Sequence, residues 1–291
     1  MANFQNQPWK TLDILALTIT ILGWGGNFLA IRYAVLGIPS WTALSLRLAL
    51  VSCVLIFFIR SPLAHLKYYL LISIVLVPGH FGLLFLASEL TNNVSAVSLF
   101  IQLNPVFALL FAWLLLKEKP GIRRVFGLML ALCAMVILFY EPNLLGVSSA
   151  LVIATLSAMF MGLYTVLLRS MPKQIRPIDI IGWTAIFGTL VISIIAYFVD
   201  GSPAVTLQNA TLNNYFGIIY SVVIGSIVGH SCWAWLCQRH PVAQVVPFSL
   251  LVPIVAITLS AILLDEQISG QMMLSAAILC TGLFIIAKAR R

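Results

Sequence analysis

The chain has 291 residues, of which 62% are hydrophobic and only 8% are charged, and its formal net charge is +8. Water-soluble domains usually carry about 25% charged residues, so this composition excludes an ordinary soluble domain and indicates a membrane protein. The basic residues form no cluster interleaved with aromatic side chains, which argues against a nucleic-acid partner. We therefore expect the lipid bilayer to be the main partner of the chain.

Ten apolar segments follow one another along the chain, and most have the length of a membrane-spanning helix. They cover residues 12–33, 42–59, 67–87, 94–116, 124–140, 144–168, 178–199, 214–237, 242–264 and 271–287. A helix needs about 20 apolar residues to cross about 30 Å of hydrocarbon, and it satisfies its own backbone groups there. The predicted fold class is an all-α membrane protein with ten transmembrane helices.

The end of the first half of the sequence recurs in the second half. Residues 94–138 can be laid on residues 242–286 without a gap, at a shift of 148 positions. Pro105 then falls on Pro253, and a proline inside a span rarely matches in register by chance. We infer a duplicated unit.

The duplication predicts two five-helix units, at residues 1–140 and 144–291. Because each unit has an odd number of spans, the second is inverted relative to the first. With a cytoplasmic N-terminus, all of the 16 lysines and arginines except Arg32 and Arg47 lie on the inner side. This asymmetry predicts that both termini are cytoplasmic. Inverted repeats with polar groups at the membrane centre are typical of carriers that work by alternating access.

A pair of matching histidines is the most specific candidate for a central site. Gly79 and His80 in the third span match Gly229 and His230 in the eighth at a shift of 150 positions. At 1.5 Å per residue, His80 lies roughly 18 Å from the inner end of its helix and His230 roughly 11 Å from the inner end of its own. We predict that both imidazoles bind substrate. The alternative is that each only forms a hydrogen bond with a neighbouring helix.

The fourth and ninth spans are predicted to be broken by proline. Pro105 and Pro253 each remove a backbone donor and free a carbonyl one turn earlier, near Ile101 and Ser249. A freed carbonyl inside a bundle needs a partner, which is a side chain, a water molecule or a substrate ammonium.

Further candidates for the substrate-binding wall are polar or aromatic residues within the spans. They are Trp24, Asn27, Gln102, Asn104, Tyr164, Trp233 and Ser249. The small residues Gly25, Gly26 and Gly162 are expected to allow close helix packing instead. Arg47 either holds a substrate carboxylate or extends to the outer membrane surface.

The acidic residues lie away from the middle of every span, so a carboxylate relay for protons or sodium is not expected. Proton coupling would require His80 or His230; otherwise the chain is a facilitator or an exchanger. An intramembrane enzyme needs an activated nucleophile or a metal cluster, and the motifs for these are missing. A membrane receptor or assembly subunit would need an output domain. We expect no catalytic residue, metal or cofactor.

Several of these residues together resemble a known family. The early residues Trp24, Gly25 and Asn27, Arg47 in the second span, and the run from Pro247 to Glu266 are similar to the EamA family of drug/metabolite transporters. The resemblance covers essentially the whole chain, and the region from Pro247 to Gly270 is most similar to bacterial exporters of O-acetylserine and cysteine.

The resemblance implies a ten-helix permease of the bacterial inner membrane. Its expected substrate is a small molecule, an amino acid or a related metabolite. Its central cavity is expected to be lined by the first, third, fourth, sixth, eighth and ninth helices. We expect the chain to act as a monomer.

Overall fold

The computed structural model describes residues 9–117, 121–169, 171–172, 174–240, 245, 248–249 and 251–288. Its main helices are α1 Thr11–Val35, α2 Ser40–Leu55, α3 Leu63–Glu89, α4 Val94–Leu115, α5 Ile122–Phe139, α6 Ser148–Arg169, α7 Pro177–Val199, α8 over residues 212–239, α9 Leu251–Leu263 and α10 Gly270–Lys288. All regular elements of the described residues are helical, which confirms the all-α prediction.

Seven of these helices are long and apolar enough to cross a membrane, and α2, α9 and α10 are shorter apolar helices. The bounds differ from the predicted spans in places. α2 ends at Leu55 because the exposed apolar residues Phe57 and Phe58 extend the hydropathy signal beyond the helix. A short 3-10 turn, Pro142–Val147, precedes α6, so that helix begins later than its apolar segment.

The helices begin where the local sequence favours it. The Asn93 side chain caps α4 by accepting a hydrogen bond of 2.8 Å from the Ala96 amide. α7 begins at Pro177, whose fixed φ suits the first helical position, and Asp179 in the same turn complements the helix dipole.

The packing of the helices repeats between the two halves of the chain. α1 packs against α8 and α9, whereas α6 packs against α3 and α4; α2 pairs with α7, and α5 pairs with α10. When every helix is exchanged with the one five places away, the contacts of α1 become those of α6, and the pairs α2–α7 and α5–α10 map onto themselves. Lys117 and Asp265, with φ of 56° and 51°, have left-handed backbone after α4 and α9. They lie 148 positions apart, the shift of the sequence repeat, so the packing supports the two-repeat organisation.

Glycines allow equivalent helices to approach closely. A Cβ atom at Gly25 would lie 2.5 Å from Val255 in α9, and one at Gly162 would lie 2.7 Å from Phe107 in α4. At Gly26 it would lie 2.4 Å from the Tyr220 hydroxyl. The prediction that these glycines serve close packing is confirmed.

One end of the bundle carries mostly basic residues. Here Arg239 at the end of α8 donates a hydrogen bond of 3.1 Å to Asp13 at the start of α1. Nearby connections bring the Arg60 amide to 3.0 Å from Asp179, whose carboxylate also pairs with Arg176 at 2.6 Å. We call this the basic end.

The opposite end contains carboxylates that accept backbone hydrogen bonds. The Thr42 amide donates to Asp200 at 2.7 Å, and the Val94 amide donates to Glu266 at 3.1 Å. Arg32 also lies here, where it donates to the Ser88 carbonyl at 2.8 Å. We call this the acidic end. α1 begins and α10 finishes at the basic end, so both described termini lie on one side of the bundle.

Candidate functional site

α3 and α8 each change from an α-helix to a π-helix inside the bundle. The π-helical sections are Val75–Gly82 and Ser221–His230, and each contains one of the matching Gly-His pairs. Pro78, which lacks an amide donor, lies within the first section. π-helical turns are rare and occur frequently at functional sites. We did not predict this irregularity from the sequence.

The glycine of each pair lets its helix approach a neighbour. A Cβ atom at Gly79 would lie 2.6 Å from the Phe160 ring in α6, and one at Gly229 would lie 2.6 Å from Trp24 Nε1 in α1. Because α6 and α1 are equivalent helices, the two crossings correspond. A side chain at either glycine would push its histidine away from the partner helix.

His80 is bonded to a neighbouring helix. Its Nδ1 atom lies 2.9 Å from the Ser157 hydroxyl in α6, and that hydroxyl donates to the His80 carbonyl at 2.8 Å. Since the hydroxyl has one hydrogen, and it goes to the carbonyl, Nδ1 is the donor in the first contact. The histidine is only 5% exposed. The hydrogen bond to a neighbouring helix that we considered as the alternative is therefore present at His80, and substrate binding by this residue stays a prediction.

His230 has different surroundings. The residue is half-buried, and its imidazole forms no hydrogen bond with the described part of the chain. Its ring centroid lies 4.9 Å from that of Trp24 and 5.6 Å from that of Phe81. Trp24 also contacts Trp233 at 5.2 Å. We call Trp24, Phe81, His230 and Trp233 the aromatic cluster; it joins α1, α3 and α8.

A small pocket adjoins this cluster. Its walls include Leu48, Phe81, Tyr164, Thr184, Ser226 and His230, which come from α2, α3, α6, α7 and α8. The third, sixth and eighth helices were expected here. The second and seventh were not, and they reach the pocket because α2 and α7 pack against each other beside α3. Hydroxyl and imidazole groups in mostly apolar walls suit a small molecule with polar ends.

Arg47, for which the sequence left open a substrate carboxylate or the outer membrane surface as partner, lies beside the pocket. Its side chain is 1% exposed, so it does not extend to the membrane surface. Nε donates to the Ser226 hydroxyl at 3.0 Å, and the guanidinium carbon lies 4.6 Å from the Phe81 ring centroid. In the sequence, Arg47 is a single arginine within an apolar segment. That pattern does not show whether its side chain points into the bundle or toward the membrane surface.

The predicted break in α4 is present. One helical section ends at Ile101, and the next begins at Asn104 with Pro105 as its second residue. At that position the missing proline amide has no intrahelical partner to lose. Pro253 is likewise the third residue of α9, and Pro247 lies outside the described residues.

Both carbonyls that we expected to be free have side-chain partners. The Ile101 carbonyl accepts a hydrogen bond of 3.0 Å from Asn104 Nδ2. The Ser249 carbonyl accepts one of 2.7 Å from Gln102 Nε2. The amides of Gln102 and Asn104 thus stabilise the breaks and join α4 to the segment before α9.

The remaining candidates lie near the aromatic cluster or the pocket. Asn27 is 9% exposed, and its Oδ1 atom has no hydrogen-bond partner among the residues described; it faces Gly225 of the π-helical section in α8. Tyr164 is buried on the pocket wall, and Trp233 is half-buried against Trp24.

Metal-ligating side chains do not gather in the described ranges: no group of three or more His, Cys, Asp or Glu residues lies together there. The site consists of aromatic rings, hydroxyls, an imidazole and one guanidinium.

Glu266 joins the two halves at the acidic end. Its carboxylate accepts hydrogen bonds of 3.1 Å from the amides of Val94 and Ser95 at the start of α4. Beside it, the hydroxyls of Ser95 and Ser260 are 2.9 Å apart. Burial raises the pKa of Glu266, and these hydrogen bonds oppose the rise. Glu266 therefore caps the start of α4. Glu118, which matches it at the shift of 148 positions, lies outside the described residues.

The fold and the pocket define a class of protein. A multi-spanning helical bundle with two related halves, interrupted helices and a polar site between them has the architecture of a secondary transporter.

The family follows from comparison with known proteins. The chain belongs to the EamA-like transporter family, which matches residues 11–140 and residues 148–288. The protein is therefore a membrane transporter and not an enzyme.

Several relatives match over nearly the whole chain. Proteins of Escherichia coli K12 and Salmonella typhimurium, each named as a probable amino-acid metabolite efflux pump, are both 26% identical. The matches cover 94% and 93% of this chain, and 93% of each relative. The uncharacterized transporter YoaV of Bacillus subtilis is 22% identical over 94% of this chain and 95% of its own.

A solved structure, described as "Crystal structure of protein", has the same fold. It aligns with a TM-score of 0.62 at 16% sequence identity, covering 95% of this chain and 96% of its own.

Proposed function

We propose that this transporter exports small metabolites, namely amino acids or derivatives such as cysteine and O-acetylserine, across the bacterial inner membrane. The two efflux pumps that match over more than nine-tenths of the chain support export of this class. The pocket also suits a zwitterion, because Thr184 and Ser226 offer hydroxyls while Phe81 offers an apolar face.

The observation that carries the proposal is the pocket beside the π-helical section of α8. There His230 faces the pocket without a hydrogen bond to any described residue, whereas its counterpart His80 is bonded to Ser157. An imidazole that forms no hydrogen bond with a described residue, on the wall of a pocket between two related halves, is available to a substrate.

The transport mechanism that we propose is alternating access. Pocket residues Ile180 and Ile181 directly follow Asp179 at the basic end, while Glu266 joins α4 and α9 at the acidic end. In this state the pocket would open toward the basic end. When the two halves exchange conformations, it would open toward the acidic end. With ten spans and cytoplasmic termini, which the distribution of basic residues supports, the basic end faces the cytoplasm.

Counterflow in proteoliposomes tests this function. Purified protein should exchange labelled L-cysteine or O-acetylserine across the membrane. His230→Ala should lower the rate by on the order of tenfold, the value of one polar contact of about 1.4 kcal/mol. His65→Ala is the matched control, because His65 lies in the 3-10 turn at the start of α3, where its ring contacts Tyr68.

Several results of these measurements would contradict the proposal. If no amino acid or derivative is exchanged, and cells expressing the protein release none, the substrate class is wrong. Exchange that is unaffected by His230→Ala would remove this residue from the site. A receptor or assembly subunit would likewise show no counterflow.

A further inference from the structure

Arg47 is the largest fully buried side chain among the described residues, and most of its N–H donors have no hydrogen-bond acceptor there. A guanidinium has five N–H donors. Here Nε donates to Ser226, while Nη1 has no partner among the residues that the structure describes. The rings of Phe81 and Phe85 lie 4.6 and 5.5 Å from the guanidinium carbon.

None of the described acidic residues pairs with the charge of Arg47. Arginine stays protonated in proteins, and a buried charge is costly unless it is paired. The chain has eight acidic residues. Seven of them are described and lie at helix ends or in connections, and Glu118 lies outside the described ranges. Contacts with two aromatic faces and one hydroxyl offset only part of the cost of burying the charge.

Arg47 contacts two residues of the pocket wall. Its hydrogen-bond acceptor Ser226 and its stacking partner Phe81 both line the pocket. So do Leu48 and Val51, which lie one and four residues further along α2. The Nη1 atom is closed off from solvent in this state, and an anion beside Ser226 would reach it once the Arg47 side chain turns toward the pocket.

We propose that Arg47 is the anion subsite of the pocket and that the transported molecule must carry a carboxylate there. This inference rests on the proposed function and narrows it: decarboxylated amines and carboxyl esters are excluded as good substrates. A guanidinium binds a carboxylate through two parallel hydrogen bonds, and this geometry gives specificity as well as affinity. The aromatic cluster then receives the opposite, cationic end of the molecule.

Binding and counterflow should both be measured with three probes that differ at one group: L-cysteine, L-cysteine methyl ester and cysteamine. Binding is followed as thermal stabilisation of the purified protein, which does not depend on transport. We expect L-cysteine to bind at least about tenfold more tightly than either analogue. Arg47→Gln should abolish this preference and lower L-cysteine counterflow about 30-fold or more.

Two further variants separate binding from folding. Arg47→Lys keeps the charge and should retain the preference for the acid at lower affinity. Arg32→Gln is the matched control, because Arg32 is also buried but bonds to Ser88 at the acidic end; it should leave the preference unchanged.

The outcomes distinguish the two proposals. If wild-type protein binds the acid and the ester equally, binds none of the probes, or keeps its preference in Arg47→Gln, the anion subsite is refuted. If acid-selective, Arg47-dependent binding is found without any counterflow, the subsite stands and the proposed export function fails.

Discussion

His80 and His230 occupy equivalent positions, yet the structure predicts opposite consequences when each is replaced by alanine. His80→Ala removes a ring that is 5% exposed and the hydrogen bond from Nδ1 to Ser157. One such bond contributes about 0.5–1.5 kcal/mol, and the cavity left by a buried side chain costs about 2 kcal/mol more. The free energy of unfolding should therefore fall by about 2–4 kcal/mol. His230→Ala, which breaks no hydrogen bond within the described residues, should cost about 1 kcal/mol or less.

A double-mutant cycle with Ser157→Ala isolates the contact between α3 and α6. The single variants should be non-additive, with a coupling energy of about 1 kcal/mol, because either one removes the same bond. His80→Asn is the conservative control, since its amide can occupy the position of Nδ1 and should recover part of the loss.

Unfolding midpoints in detergent, read together with counterflow, would check this reasoning. We expect His80→Ala to be unstable and His230→Ala to be stable but impaired in transport. Equal stability of the two variants, or strict additivity with Ser157→Ala, would show that the His80 contact does not hold the helices together.

Two more predictions concern the contacts between α4 and the α9 region. Because burial raises the pKa of Glu266, the folded protein binds a proton there more tightly than the unfolded chain does. The stability that this proton contributes is present at low pH and is lost as pH rises through the raised pKa. Glu266→Gln, which keeps an acceptor for the amides of Val94 and Ser95, should remove this pH dependence from thermal unfolding curves, and an unchanged dependence would assign it to another group. Gln102→Leu leaves the Ser249 carbonyl without its donor and should lower the free energy of unfolding by about 1–3 kcal/mol; an unaltered denaturation midpoint would mean that this bond is dispensable.

The fold was predictable because its signals are local. Apolar length depends only on residues close in sequence, and the register of Pro105 with Pro253 is visible by comparing the sequence with itself. The Gly-His pairs were found in the same way, and both lie in π-helical sections. Hydropathy does not mark where a helix ends, however, so the bounds of α2 and α6 were predicted less well.

The site was harder to predict because it depends on long side chains and on neighbours far apart in sequence. Arg47 can extend to a membrane surface or remain inside, and only the position of Ser226 in α8 decides between them. Gln102 and Asn104 were chosen as polar residues in a span, but the freed carbonyls are their partners. Polar residues at a helix break must satisfy the break before they are available to a substrate.

The unequal histidines are what alternating access requires of a duplicated chain. If the halves were equivalent in one state, exchanging them would change nothing, so each state must break the symmetry. Gly25 in α1 and its counterpart Gly162 in α6 are 137 positions apart, and the same shift places Ser157 on Thr20. Thr20 is buried, and in this state its hydroxyl donates to the Ala16 carbonyl at 2.8 Å. We expect the opposite-facing state to bond His230 to Thr20 and to release His80, since exchange of the halves transfers the contact. A structure of that state with His80 still bonded to Ser157 would contradict this account.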